Sequence, residues 1–213
     1  MPHPPPPDAL LLVSTACPHC SSVLEGLAVL LKEGLIGRLE AVNVAVRAER
    51  AAELGVRSVP WLRLGPFELD GALTPAELRH WAEQAGSEAG MAEYFLHLLK
   101  TGRRAKVEAM ARQEPARLLA LVRLLGGEAN GMAVRLGIGA VLEEFQGSET
   151  AKIMIPGLGE LTRHPDALTR ADACHYLSLI GGDEIAPYLR ACLDDEDAQV
   201  REVAQDALDE LHG

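Results

Sequence analysis

Aromatic residues are scarce in this chain of 213 residues, with two tryptophans, three tyrosines and three phenylalanines. Aliphatic side chains, most of them on helices, therefore have to supply the core. No run approaches the ~20 apolar residues that a membrane span needs. The start, Met1-Pro2-His3-Pro4-Pro5-Pro6-Pro7-Asp8, lacks the basic and apolar regions of a secretory signal. These absences lead to the expectation of a cytoplasmic protein with no membrane partner, and of an extended, flexible Pro-rich tail over 1–7. An excess of positive charge is missing too. The formal net charge is −11, and residues 183–213 carry ten acidic side chains against two basic ones. That argues against a nucleic-acid ligand, because phosphates call for a cationic surface. The small basic cluster of Lys100, Arg103, Arg104 and Lys106 is too little to reverse it. Asp194-Asp195-Glu196-Asp197 reads as a solvated helix entry, where carboxylates suit the helix dipole; a cation or a basic protein patch is the other reading.

Cysteine is also sparse, with four in the chain. Cys174 and Cys192 stand on helical patterns and read as small buried apolar residues, although a second redox pair is the alternative. Cys17 and Cys20 differ, because Cys17-Pro18-His19-Cys20 follows the apolar strand pattern Leu10-Leu11-Leu12-Val13-Ser14 and opens a helix expected over Cys17 to Lys32. In a reducing compartment such a CxxC suits catalysis or redox sensing better than a structural staple. The helix should bury Val23, Leu27, Leu30 and Leu31 and stop at Gly34. Pro18 fits an early helical position, which leaves the Cys17 sulfur facing the free amides of the first turn. Those amides and the dipole favour a thiolate, so Cys17 is the expected nucleophile and Cys20, one turn on, the resolving thiol. His19 can stabilise the thiolate further. Two other readings stand beside this one: His19 as an exposed helix residue, and CxxC as half of a zinc site. Zinc needs two more ligands, usually closely spaced, and Cys174 and Cys192 are remote, so no metal and no cofactor are expected.

Beyond this helix the pattern continues with a strand over Leu39 to Val46 and a short helix over Ala48 to Leu54. A strand entered through Pro60 follows, then Phe67-Glu68-Leu69 and a last helix capped by Thr74 with Pro75 as its first residue. The order βαβαββα, the CxxC after the first strand and the Val59-Pro60 dipeptide together resemble the thioredoxin fold family over residues 8–86. The Pro-His dipeptide within the motif is similar to that of Dsb-type oxidases, while the uninterrupted domain is closer to thioredoxins and glutaredoxins. The resemblance implies that Pro60 is a cis-proline beside the sulfurs, and that the Val59 backbone pairs with an extended substrate. Two positions depart from the family: Leu11 stands where many thioredoxins carry a buried acid, and Ala16 replaces the aromatic residue before the first cysteine. Proton transfer then falls to water or His19.

From residue 87 to 213 strand patterns cease and helical periodicity takes over. Ala133-Val134-Arg135 with Ile138 and Leu142 recurs as Leu168-Thr169-Arg170 with Ala173 and Leu177, then as Gln199-Val200-Arg201 with Ala204 and Leu208. Asp166 and Asp197 mark two of the helix starts. The repeat resembles HEAT-like repeats of the short type known from phycobilin-lyase-related proteins, without implying chromophore chemistry. The expectation is an α/β thioredoxin-like domain followed by an all-α HEAT-like helical repeat domain. Its function would be a thiol-disulfide oxidoreductase acting on a protein thiol or disulfide, with the repeats selecting the protein partner. A redox-sensitive or redox-inactive adaptor is the alternative.

Overall fold

The computed structural model describes residues 5–127 and 131–212, and the chain divides into two compact units, Met1–Met91 and Ala92–Gly213. The first unit contains β1 (Asp8–Val13), α1 (Cys20–Glu33), β2 (Arg38–Asn43), α2 (Ala48–Glu53), β3 (Trp61–Leu64), β4 (Phe67–Asp70) and α3 (Pro75–Gln84). Its four strands form a mixed sheet in the order β2-β1-β3-β4, with β1 parallel to β2 and the other pairs antiparallel. Parallel pairing of β1 with β2 demands a crossover, and α1 supplies it. Strand alternation sorts the core. Leu10, Leu12 and Trp61 face one side of the sheet with Ala51 of α2 and Leu54 just beyond its end, and Leu11 and Leu62 point to the other.

Several element ends follow from single residues. Gly34 closes α1 in the left-handed region at φ 76°, which costs glycine least. Asn43 ends β2 earlier than the apolar pattern suggests: its side-chain oxygen accepts from the Ala45 amide at 2.9 Å and its carbonyl from the Val46 and Arg47 amides. This local turn competes with the ladder, so Val44–Val46 leave the strand. On α1 the buried stripe is Cys20, Val23, Leu27 and Leu30, while Leu31, expected inside, is 38% exposed. Pro7, read as part of a free tail, is tied to the sheet by its carbonyl, which accepts from the Gly37 amide at 3.0 Å; Met1–Pro4 of that tail lie outside the described residues.

At the start of α3 the capping box is complete. The Thr74 hydroxyl oxygen accepts from the Glu77 amide at 3.3 Å, and the Glu77 carboxylate accepts from the Thr74 amide at 2.7 Å. The Thr74 backbone and hydroxyl donors hold the Glu77 carboxyl below its ordinary value. Thr74→Ala is expected to cost the first unit about 1 kcal/mol, read as a lower urea midpoint with an unchanged slope. Thr74→Ser should recover most of the loss.

The second unit is helical. The chain passes into it along α4 (Glu88–Lys100), followed by α5 (Arg104–Gln113), α6 (Leu118–Leu125), α7 (Met132–Glu143), α8 (Ile155–Leu161), α9 (Ala167–Ile180), α10 (Ala186–Ala191) and α11 (Ala198–His212). Helix α9 packs on α7, α8 and α11, and α10 packs on α11. Val134, Ile138 and Leu142 of α7, Ala173 and Leu177 of α9, and Val200, Ala204 and Leu208 of α11 are all buried, so the recurring sequence positions are the core of the stack. Cys174 and Cys192 are buried among them as free thiols. The neighbouring Cys192 sulfur, together with burial, holds the Cys174 thiol protonated, above its usual value.

The arginine of each recurring segment has a polar task. Arg135 donates to the Asp172 carboxylate at 2.7 and 3.0 Å and to the Thr169 hydroxyl at 3.1 Å. Arg170 grips Asp195 through two hydrogen bonds of 2.7 and 2.8 Å and donates to the His164 and Pro165 carbonyls. Arg201 repeats the carbonyl half of this pattern on Asp195 and Glu196. Asp166 caps α9 through the Thr169 amide at 3.0 Å, and Asp197 accepts from the Gln199 amide at 2.8 Å at the start of α11. Among the described residues no helix is long and apolar enough to cross a membrane.

Candidate functional site

The buried strand β1 ends at Val13 and the chain turns through Ser14–Ala16 before reaching the first cysteine. This turn is held from both sides. The Cys17 amide donates to the Ser14 carbonyl at 3.1 Å, and the Asn43 side-chain amide donates to the Thr15 hydroxyl at 3.1 Å. Neither Thr15 nor Asn43 stands out in the sequence. Their only signal is that both are turn-forming polar residues at the ends of paired strands.

Cys17 and Cys20 are joined as a disulfide, with their Cα atoms 5.5 Å apart, inside the range such a bond spans without moving the backbone. The two sulfurs are not equivalent. Cys17 is half-buried and Cys20 is buried under the helix, so an incoming group meets Cys17 first. Helix α1 begins at Cys20, not at Cys17 as the sequence suggests, with His19 as its N-cap residue. Pro18 lies in the preceding turn. The Cys17 amide bonds the Ser14 carbonyl in that turn, and the first helical bond closes on His19, whose carbonyl accepts from the Val23 amide at 3.4 Å and from the Ser22 hydroxyl at 2.9 Å. The His19 side chain is exposed and makes no capping bond.

The second expected segment reaches the same place. The Val59 carbonyl oxygen lies 3.7 Å from the Cys17 sulfur, 42 residues away in the chain. The Val59 side chain packs on the Leu10, Leu12 and Trp61 cluster, which fixes the carbonyl relative to the sheet. The Val59-Pro60 peptide bond is cis. Pro60 is buried, and its carbonyl accepts from the Gly71 amide at 3.0 Å. Cys17, Cys20 and Val59 thus converge, Pro60 stands behind Val59, and His19 stays at the rim.

The interior of the sheet is apolar. Leu11 is fully buried, and among the described residues of the first unit no charged side chain is buried. Nor, among the described residues, do three His, Cys, Asp or Glu side chains gather as a metal-ligand group. The arrangement offers one accessible sulfur, one shielded sulfur and a main-chain acceptor beside the accessible one. That combination suits exchange of a sulfur-sulfur bond with a visiting thiol.

Comparison with curated proteins gives no match. Residues 132–209, from the start of α7 into α11, match the family model of HEAT repeats, and the stacked helices of the second unit fit that architecture.

Proposed function

We propose that the first unit is a thioredoxin-like domain and that the chain is a thiol-disulfide oxidoreductase whose helical repeats select the protein it acts on. The observation that carries this reading is the inequality of the paired sulfurs, Cys17 reachable and Cys20 shielded, beside the Val59 carbonyl at 3.7 Å. In the oxidised form a substrate thiolate attacks the Cys17 sulfur. A bond forms between the substrate sulfur and Cys17, the Cys17–Cys20 bond breaks, and Cys20 leaves with the electron pair. A second substrate thiolate then attacks the substrate sulfur of this mixed disulfide and expels Cys17. The substrate dithiol has become a disulfide, and the chain has gained two electrons. The same steps run backwards reduce a substrate disulfide. An extended substrate strand lying against Val59 would bring its cysteine to Cys17.

The test is a trap. In Cys20→Ser the resolving sulfur is gone, so mixed disulfides at Cys17 should accumulate with a disulfide-bearing partner and vanish on addition of dithiothreitol. A Cys17→Ser protein is the control. Equal adduct yields from the two variants, or none from either, would refute the enzyme reading.

A second reading has its own support in the HEAT match at 132–209, since such repeats present an extended surface whether or not a catalytic unit is attached. The chain would then be an adaptor with CxxC as a switch or idle. Partner binding that survives Cys17→Ser, together with no exchange activity in the parent chain, would favour it.

A further inference from the structure

Cys174 and Cys192 are the two thiols that the exchange at Cys17 leaves unused. Both are closed off from solvent, at 0% and 2% exposure. They meet because α9 and the chain beyond α10 are pinned together beside them. Arg170, one helical turn before Cys174 on the same side of α9, holds the Asp195 carboxylate at 2.7 and 2.8 Å. The Asp195 amide in turn donates to the carbonyl of Cys192, the residue that caps α10, at 3.1 Å. This ion pair and turn set Cys192 against α9. The two thiols are hydrogen-bonded to each other, and the Cys192 sulfur lies 3.9 Å from the Thr162 carbonyl oxygen.

A single buried cysteine is an inert apolar residue. Two in contact differ, since each sulfur is the partner that the other needs for a bond. They are also unequal. The Cys174 thiol donates to the Cys192 sulfur and holds it below its ordinary value, against the opposing effect of burial. Cys192 is therefore the member of the pair that reaches the thiolate form, which is the form that reacts. Enclosure selects the oxidant. A protein or glutathione disulfide would have to seat a second chain at a sulfur that shows almost no surface, whereas hydrogen peroxide is scarcely larger than water.

We propose that Cys174 and Cys192 form a second redox pair, which hydrogen peroxide closes into a disulfide between α9 and the end of α10. The Cys192 thiolate attacks one peroxide oxygen. A sulfur-oxygen bond forms, the oxygen-oxygen bond breaks, and the leaving hydroxide takes up a proton to become water. The Cys174 sulfur then attacks the sulfur of the Cys192 sulfenic acid. A sulfur-sulfur bond forms, the sulfur-oxygen bond breaks, and hydroxide departs with the Cys174 proton as water. The two thiols have lost two electrons and the peroxide has gained them. Closing the pair constrains the unfolded chain, so the repeats resist unfolding better once oxidised. This chemistry goes beyond the exchange proposed at Cys17 and does not depend on it.

The test treats the full chain, with Cys17 and Cys20 paired, with hydrogen peroxide under native conditions. The reaction is quenched with catalase, and remaining thiols are alkylated in urea. Both alkylatable thiols should vanish together, the mass should fall by two hydrogens, and digestion should give a cross-linked peptide pair containing residues 174 and 192. Dithiothreitol should part that pair. The urea midpoint of the oxidised chain should rise above that of the untreated chain. Cys174→Ala, which fits within the space of the thiol and whose folding circular dichroism verifies, should show no cross-link. The same cross-link should form in a chain carrying Cys17→Ser and Cys20→Ser, so failure of the exchange at Cys17 and failure of this pair give separate signatures. The proposal is overturned if both thiols survive peroxide in the folded chain, if oxygen is added to either without a cross-link, if the cross-link joins two chains, or if the urea midpoint does not rise.

Discussion

Turnover of a disulfide substrate is expected to fall to the uncatalysed rate when Cys17 is replaced by serine, the largest effect that any single change in this chain should produce. The half-buried Cys17 sulfur is the one an incoming group meets, and serine offers neither a thiolate nor a reducible bond. Cys20→Ser should also slow turnover, but by a different route: the first attack proceeds, and release of the product then waits on the external dithiol. The measurement is insulin reduction with dithiothreitol, followed by thiol counting and mass analysis of each variant. A thiolate favoured by its place before α1 would also make Cys17 alkylate with iodoacetamide at a half-maximal pH below the ~8.5 of free cysteine. Turnover retained in Cys17→Ser would remove Cys17 from the chemistry altogether.

The second large effect belongs to the repeats. Arg170→Ala is expected to destabilise the second unit by about 3 kcal/mol, because it removes one partner of a shielded, two-pronged ion pair. The Arg170 and Asp195 side chains are only 8% and 12% exposed. The change would strand the Asp195 carboxylate and the His164 and Pro165 carbonyls together. For a unit of this size the melting temperature should drop by on the order of 10 °C, followed by circular dichroism at 222 nm. A drop no larger than that of Arg163→Ala, at an exposed position, would refute the argument.

The same pair dictates a pH signature. Hydrogen bonds from Arg170 hold the Asp195 carboxyl below its ordinary 3.8, and the Thr169 hydroxyl does the same for Asp166. The unfolded chain takes up these protons more readily than the folded one. The stabilisation is therefore fully present above pH 3.8 and is lost as pH falls below that value through the lowered folded values. Melting temperature should be level from about pH 7 to 5 on this account and fall steeply below about pH 4. In Arg170→Ala the fall should be shallower, because the largest cause of the Asp195 shift is gone.

Features that depend on neighbouring residues were legible in the sequence. Gly34 closes α1, Thr74 and Pro75 open α3, and Asp166 and Asp197 open α9 and α11, since each acts on amides within a turn of itself. The CxxC spacing announced its pairing for the same reason. What escaped is mostly non-local. That Arg135 reaches Asp172 and Arg170 reaches Asp195 depends on how helices stack, and helical period is silent about that. Leu31 satisfies the apolar pattern of α1 as well as Leu30 does, yet lies about 100° further round the helix and ends outside. The start of α1 at Cys20 follows a turn in which the Cys17 amide bonds the Ser14 carbonyl, and residue propensity does not place that turn.

The lack of a buried acid among the described residues of the first unit has a kinetic consequence for the proposed exchange. The thiolate released at Cys20 in that exchange finds no buried carboxylic acid among those residues from which to recover a proton. Neutralisation must come from outside, through whatever donor the medium provides. General acids in the buffer then become participants in the reaction: at fixed pH and ionic strength, rate climbs with their concentration, and deuterated solvent slows the step.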